Sequence, residues 1–180
     1  IIDRLLAPGG VAIVDPAMAD NGKLYSGFDE DYVRAIGSLA GKADIILPNV
    51  TEAAILSGLP YQENIDRNYV NQLLNGLNHP CAVLTGVDFD EDSTGIVLQE
   101  GTVQHEYRHK RIGTGCHGTG DIFAAVFTGA LMQGKNRLDA AKIAADFTCR
   151  CIKNTVNAPA HWYGVKFEPL LPELMEMLGR

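Results

Sequence analysis

The segment of this sequence with the clearest chemical potential is a glycine-rich loop at residues 113–121, which reads GTGCHGTGD. An apolar run follows directly and predicts a helix that begins at the end of the loop. Glycines let successive backbone N–H groups converge, and the helix N-terminus adds partial positive charge, so this loop predicts a cradle for anionic oxygens. Asp121 would repel a bound phosphoryl group unless it accepts a proton from an attacking hydroxyl; the alternative is that it only caps the helix.

Other polar residues follow predicted strands. The strands are short apolar runs at residues 11–15, 44–47 and 81–85. Because open parallel sheets bind their ligands at the carboxyl ends of their strands, we expect these polar residues to share one edge with the glycine loop. Singly, each has a plainer explanation as a strand-ending turn, a helix cap or a first-turn acid, but together they favour a functional site. The residues are Asp15, Asp20, Asn49, Glu52, Thr85 and Gly86.

The order of elements predicts an α/β fold with a mostly parallel sheet. Strands alternate with amphipathic helices in the first half of the chain, and a hairpin follows. Thr51 is the expected cap of a short helix that ends before Gly58. The hairpin pairs residues 94–99 with 102–107, and helices are expected over 29–39, 52–57, 64–77, from the glycine loop to 132, 137–154 and 170–178.

Composition and charge exclude several classes of protein. The 180 residues carry 15 basic and 22 acidic side chains, and this net charge of −7 without a dense Lys/Arg cluster argues against nucleic-acid binding. The longest apolar stretch, 122–132, is too short to span a bilayer. The four cysteines have no framework spacing, which indicates reduced thiols and a cytoplasmic protein. The length predicts one domain over residues 1–180, and the start IIDRLL reads like the end of a helix, so we expect an N-terminal part of the fold to be missing.

Three ordered motifs carry a resemblance to a known family. GTGD at 118–121, opening an apolar helix after several strand–helix units, closely resembles the ribokinase family of small-molecule kinases. Residues 14–22 (VDPAMADNG) and 47–52 (LPNVTE) resemble the two acidic loops of the vitamin B6 kinases. CHGTGD at 116–121 resembles the bacterial pyridoxal kinase branch that is close to hydroxymethylpyrimidine kinases. The resemblance implies a three-layer α/β/α fold with a small antiparallel hairpin, and a homodimer.

The resemblance also implies the reaction and the roles of individual residues. The reaction is phosphorylation of the 5′-hydroxymethyl group of pyridoxal, pyridoxine or pyridoxamine by ATP with Mg²⁺. Asp121 would be the general base, and Gly118, Thr119 and Gly120 would donate N–H groups to the γ-phosphoryl. The residues expected along the nucleotide are Thr114, Gly115, Cys116, His117, Asn49, Thr85 and Gly86, and those expected to hold Mg²⁺, directly or through water, are Asp15, Asp20 and Glu52.

Three more residues are candidates near the substrates. Lys23 would neutralise phosphate charge and Tyr25 would lie against the nucleotide, or they are a solvated lysine and a packing tyrosine. Cys116 lies near a helix N-terminus, which favours its thiolate, and it would add reversibly to the aldehyde of pyridoxal. The alternative is that Cys116 is a small residue chosen for fit.

Two other functions stay open at this stage. A hydroxymethylpyrimidine kinase of thiamine synthesis shares the fold, but that branch generally carries Cys where this chain has Asp121. A nucleotide-binding module without catalysis is the second alternative, because in the resembling family most residues that contact the vitamin lie N-terminal to this sequence. Turnover of pyridoxal separates an enzyme from a binding module.

Overall fold

The computed structural model describes residues 2, 6–113, 116–158, 161 and 163–180. The helix end that was expected at the start of the chain lies largely outside these residues, and Thr114 and Gly115 lie wholly outside them. The strands are β1 (Ile13–Val14), β2 (Ala19–Asp20), β3 (Lys23–Leu24), β4 (Ile45–Ile46), β5 (Cys81–Asp88), β6 (Ser93–Glu100) and β7 (Val103–Lys110). The helices are α1 (Glu30–Ala40), α2 (Val50–Ser57), α3 (Arg67–Leu77), α4 (Thr119–Met132), α5 (Arg137–Val156) and α6 (Leu171–Leu178), with a 3₁₀ turn at Glu168–Leu170.

The central sheet has five strands in the order β1-β4-β5-β6-β7. β1 and β4 are parallel with Ile13 opposite Ile45, and β4 and β5 are parallel with Ile46 opposite Ala82. The connections 89–92 and 101–102 are too short for a crossover, so β6 and β7 continue the sheet as antiparallel neighbours. The predicted α/β fold with parallel core strands and a hairpin is confirmed.

The described elements group into two compact units. The first contains the chain up to Phe89 together with Gly95–Glu106. In this unit α2 packs against α3 and β5, and its buried core includes Leu73, Leu74 and Leu84. This packing fixes the N-terminus of α2 against the sheet. The single-domain organisation of the whole chain stays a prediction.

The second unit contains Asp90–Thr94 and Tyr107–Arg180. Its main contact is between α4 and α5, where Phe127 and Phe147 are fully buried. Four small residues of α5 are buried as well, and small side chains let two helices approach closely; they are Ala140, Ala141, Ala144 and Ala145. Because α4 is held along its length by α5, the position of its N-terminus is well defined.

Several predicted boundaries were wrong, among them the following three. The short helix begins at Val50 and is capped by Asn49, whose side chain reaches the N–H of Glu52; Thr51 is inside the helix. The next helix begins at Arg67 because Asp66 caps it, three residues after the predicted start. β5 continues to Asp88, so the pair at 85–86 lies inside this strand instead of at its end.

Two further sequence expectations bear on the class of protein. None of the four cysteines, all of which lie in the described part of the chain, forms a disulfide bond. Across the part of the chain that the structure describes, no helix is both long enough and apolar enough to cross a membrane.

Candidate active site

Glu52 is a buried carboxylate that holds two segments of the first unit together. The residue is 1% exposed. Oε1 accepts the backbone N–H of Met18 at 2.8 Å and that of Ala19 at 3.4 Å, and Oε2 accepts the N–H of Asn49 at 3.0 Å. Asn49 returns a hydrogen bond through Oδ1, which accepts the N–H of Glu52 at 2.9 Å. This reciprocal capping box fixes the start of α2 and ties it to the loop after β1.

The protonation of Glu52 is tuned by its surroundings. Burial is the largest influence and raises the pKa of Glu52 to about 7, while the N–H donors from Asn49, Met18 and Ala19 act to lower it. The negative charge of Asp15 raises this pKa further. Two carboxylates that disfavour each other's ionisation would be relieved by a cation, so this pair is suited to bind near a metal ion.

The loop between Met18 and Leu24 is docked on the N-terminus of α2 by two more hydrogen bonds. Asn49 donates from Nδ2 to the carbonyl of Ala19 at 2.8 Å, and the N–H of Gly22 donates to Oγ1 of Thr51 at 3.0 Å. Tyr61 covers Gly22 so closely that a Cβ there would lie 2.7 Å from the ring. The backbone angle φ is +50° at Asn21 and +75° at Gly22, as in a tight two-residue hairpin turn. This small β2–β3 hairpin was not predicted, because its strands have only two residues each.

The other residues predicted for the first unit lie near these segments. Asn49 and Thr85 are neighbours in a parallel bridge, and the N–H of Thr85 donates to the carbonyl of Pro48 at 2.9 Å. Gly86 is exposed with a φ of +66°, a conformation that favours glycine, and a Cβ at this position would meet no atom within 4 Å. The rest are placed as follows: Asp15 is half-buried after β1, and Asp20, Lys23 and Tyr25 are exposed.

The donor set of this unit suits Mg²⁺ in its chemistry. Among the residues that the structure describes, no group of three or more His, Cys, Asp or Glu side chains is arranged to hold a metal ion. Mg²⁺, however, binds through one or two carboxylates and retains several water molecules. The repulsion between Asp15 and Glu52 therefore fits this ion, whereas Asp20 accepts hydrogen bonds from its neighbour Asn21 and lies at the surface.

The second unit carries the glycine loop and the start of α4. Gly118 occupies the cap position with a φ of +83° and has no side chain to bind the first-turn amides. Asp121 lies in the first turn and is exposed, and a Cβ on Gly118 would lie 3.9 Å from its Oδ2. The first-turn N–H groups and an exposed carboxylate are therefore side by side, as an anion cradle with an adjacent base requires.

The residues that precede Gly118 contact a second loop of the same unit. Cys116 is half-buried, and the ring of His117 stacks on that of Tyr163 with 6.3 Å between centroids and 21° between planes. The sequence predicts no role for Tyr163, because nothing in a single sequence relates two aromatic residues so far apart. Thr114 and Gly115 lie outside the described residues.

The basic run before the glycine loop lies on β7, with Arg108 and Lys110 exposed as the alternating pattern predicts. His109 is half-buried, and its Nδ1 lies 2.8 Å from Sγ of Cys149. Burial raises the pKa of the Cys149 thiol to about 11, so this cysteine stays protonated at neutral pH. The pair anchors β7 to α5 and is a structural contact.

Comparison with known proteins gives one family and several solved structures. The sequence model of a family described as phosphomethylpyrimidine kinase matches residues 2–165. A hydroxymethylpyrimidine/phosphomethylpyrimidine kinase of Bacillus subtilis is 30% identical over 146 residues, which is 80% of this chain and 54% of that protein. The chain thus spans about half the length of this curated relative.

Two solved structures share the fold. Pyridoxal kinase from Lactobacillus plantarum is 33% identical with a TM-score of 0.80, over 92% of this chain and 61% of that one. A Bacteroides thetaiotaomicron protein assigned as a phosphomethylpyrimidine kinase, in a crystal form with pyridoxal, is 28% identical with a TM-score of 0.84, over 99% of this chain and 64% of that one. The relatives therefore include proteins named as pyridoxal kinases and proteins named as hydroxymethylpyrimidine or phosphomethylpyrimidine kinases.

Proposed function

Because this chain belongs to the phosphomethylpyrimidine kinase family, we propose that its protein uses ATP to phosphorylate the 5′-hydroxymethyl group of pyridoxal and the related B6 vitamers. The family membership and the fold agree with the resemblance inferred from the sequence. The observation that carries the choice of reaction is Asp121, an exposed carboxylate in the first turn of α4 beside a glycine cap.

Asp121 is proposed to act as the general base. An exposed carboxylate can accept the proton of an alcohol as the oxygen attacks the γ-phosphoryl group of ATP. The neighbouring N–H groups of Thr119 and Gly120 would then stabilise the negative charge that develops on the phosphoryl oxygens. Both functions require the start of α4 to be free of a capping side chain, and Gly118 provides this.

The residues before the helix are proposed to contact the nucleotide phosphates. Cys116, His117 and Gly118 carry backbone N–H groups next to the helix N-terminus, and Thr114 and Gly115 precede them in the sequence. In the first unit, the proposed nucleotide contacts are Asn49, Thr85, Gly86, Lys23 and Tyr25. Of these, Asn49 and Thr85 are placed side by side by their bridge.

Mg²⁺ is proposed to bind at the acidic residues of the first unit. Glu52, Asp15 and Asp20 would hold it directly or through water, and Glu52 also fixes the loop that carries Asp20. When bound, the ion would neutralise phosphate charge on the nucleotide. Glu52 orients the loop through its contacts with the Met18 and Ala19 amides whether or not the ion is present.

The second candidate is a hydroxymethylpyrimidine or hydroxymethylpyrimidine phosphate kinase. It is favoured by the matching family and by the Bacillus subtilis relative. The residue at position 121 favours pyridoxal instead, because the hydroxymethylpyrimidine branch generally carries cysteine there. Phosphorylation of both substrates by one protein is compatible with these observations.

The test is a turnover assay of the full-length protein with Mg-ATP and each of four acceptors: pyridoxal, pyridoxine, hydroxymethylpyrimidine and its phosphate. We expect the highest kcat/KM with a B6 vitamer, with the phosphorylated product identified by mass spectrometry. Preference for the pyrimidines would replace the proposal by the second candidate. Binding of ATP without transfer to any acceptor would indicate a nucleotide-binding module.

The assembly and the location of the protein are also proposed from the resemblance. We expect a homodimer in the cytoplasm. Light scattering on the full-length protein measures the mass directly, and a monomer at micromolar concentration would contradict the proposed dimer.

A further inference from the structure

The segment that follows α5 is held firmly on the end of that helix. The N–H of Lys166 donates to Oγ1 of Thr155 at 2.8 Å, and Nδ2 of Asn154 donates to the carbonyl of Lys166 at 2.9 Å. Val165 is buried. These contacts fix the backbone at residues 165 and 166. They therefore also fix the position from which residues 163 and 164 extend.

Two of those preceding residues lie beside His117 of the glycine loop. The ring of Tyr163 stacks on the ring of His117, with the planes 21° apart. Gly164 has a φ of +72°, and a Cβ at this position would lie 4.0 Å from the carbonyl oxygen of His117. Both the side chain and the backbone of this segment thus lie against the residue that directly precedes the Gly118 cap.

We propose that Tyr163 is a positioning residue, which orders the glycine loop by stacking on His117. A loop with several glycines has many accessible conformations, and each amide that binds an anion must first be fixed at a cost in conformational entropy. An aromatic contact made before the ligand arrives removes part of this cost from the binding step. The inference rests on the proposed function, because it assumes that the loop binds nucleotide phosphates.

The position of Tyr163 suits such a role. The residue is 67% exposed, so it adds little to a hydrophobic core, and its replacement is expected to leave the fold intact. Its partner His117 is exposed as well. Because both residues are exposed and lie near the N-terminus of α4, their contact affects the order of the loop more than it affects global stability.

The experiment is a double-mutant cycle on the full-length protein. ADP binding is measured by calorimetry, and kcat and KM for ATP by turnover, in the wild type, Tyr163→Ala, His117→Ala and the double variant. We expect Tyr163→Ala to weaken ADP binding and raise KM for ATP about fivefold with little change in kcat, since an aromatic pair contributes about this factor. In the His117→Ala background, the same replacement should have little further effect.

Two variants and one spectroscopic measurement complete the test. Tyr163→Phe keeps the ring and should restore ADP binding, whereas Met132→Ala, at the exposed far end of α4, should leave it unchanged. The NMR signals of the His117 ring protons, assigned from His117→Ala, should shift in Tyr163→Ala because the neighbouring ring current is lost.

The outcomes separate the inference from the function on which it rests. If the wild type neither binds ADP nor phosphorylates any acceptor, the proposed function is wrong and the inference is lost with it. If the wild type is active but Tyr163→Ala binds ADP normally, or weakens binding equally with and without His117, only the positioning role is overturned.

Discussion

The carboxylate of Glu52 accepts the backbone N–H of Met18 at 2.8 Å, although the two residues lie 34 positions apart in the chain. The same carboxylate accepts the N–H of Asn49 through its other oxygen. One buried acid thus joins the start of α2 to the loop after β1, and its protonation state affects both segments.

The stability of the protein should depend on pH through Glu52. Burial raises the pKa of this group from its ordinary value of 4.5 to about 7, so the folded protein binds more protons than the unfolded chain between these values. This contribution to stability is full below about pH 4.5 and falls as the pH rises to about 7, by roughly 3 kcal/mol. Urea unfolding of wild type and Glu52→Gln at pH 5, 6, 7 and 8 should show a difference in unfolding free energy that changes with pH in this direction.

The matched control for this measurement is Glu176→Gln, because Glu176 is an exposed acid on α6. This replacement removes an acid in the second unit and leaves the hydrogen bonds of Glu52 in place, so a pH dependence seen only in Glu52→Gln belongs to Glu52. A Glu52→Gln curve that runs parallel to the wild-type curve would show that Glu52 does not titrate in this window.

Asp15 should control both the pKa of Glu52 and the binding of Mg²⁺. The charge of Asp15 raises this pKa, so Asp15→Asn should lower it, and the Glu52 titration seen by NMR should move to lower pH. If Asp15 is also a metal ligand, the same variant should need at least tenfold more Mg²⁺ for half-maximal phosphorylation. Asp31→Asn, at an exposed position of α1, should change neither quantity. An unaltered Mg²⁺ requirement in Asp15→Asn would remove Asp15 from the metal site.

Gly22 should tolerate no side chain. Its φ of +75° disfavours any other residue, and a Cβ would lie 2.7 Å from the ring of Tyr61. Gly27 has a φ of +91° with open space around it, so Gly27→Ala measures the backbone strain alone, about 1 kcal/mol. Gly22→Ala should lose roughly 1–3 kcal/mol more, measured as the free energy of unfolding in urea.

The double variant Gly22→Ala/Tyr61→Ala identifies the source of that additional loss. Removal of the Tyr61 ring should make the alanine at position 22 less costly than it is in the wild-type background. Equal costs in the two backgrounds would mean that the ring moves aside without penalty.

The sequence predicted the order of the long elements, because their hydrophobic periods are clear and their ends carry strong signals. Helix α1 was expected at 29–39, and it begins at Glu30 with Asp29 as its cap. Thr51 was predicted as the cap of the short helix, because Thr and Asn are both favourable capping residues. In the structure Asn49 is the cap, and the hydroxyl of Thr51 accepts a hydrogen bond from the N–H of Gly22 instead.

The sequence could not predict contacts between distant segments. The resemblance to the vitamin B6 kinases implied a metal site at Asp15 and Glu52, but the use of the Glu52 carboxylate as an acceptor for the Met18 and Ala19 amides depends on the packing of α2 against the β2–β3 hairpin. The stacking of Tyr163 on His117 likewise depends on where α5 ends. Residue types in one sequence indicate which chemistry is available, whereas tertiary packing decides how each group is used.

Cys116 should distinguish the aldehyde substrate from the alcohol. In the proposed adduct, a bond forms between Sγ and the aldehyde carbon of pyridoxal, the carbonyl π bond breaks, and the thiol proton passes to the resulting oxygen. Pyridoxine has no carbonyl group there, so Cys116→Ala should lower kcat/KM for pyridoxal several-fold more than for pyridoxine. Equal losses for the two substrates would rule out the adduct and leave Cys116 as a residue chosen for its size.

Asp121→Asn should abolish most of the phosphorylation without preventing nucleotide binding. The amide cannot accept the proton of the attacking hydroxyl, so kcat should fall about 10²- to 10⁴-fold, while the N–H groups at the start of α4 remain available to phosphate. The matched control is Asp139→Asn, because Asp139 is also an exposed first-turn acid, on α5 of the same unit. It should retain wild-type kcat. Turnover of pyridoxal and calorimetric titration with ADP measure the two properties separately, and a wild-type kcat in Asp121→Asn would show that another group takes the proton.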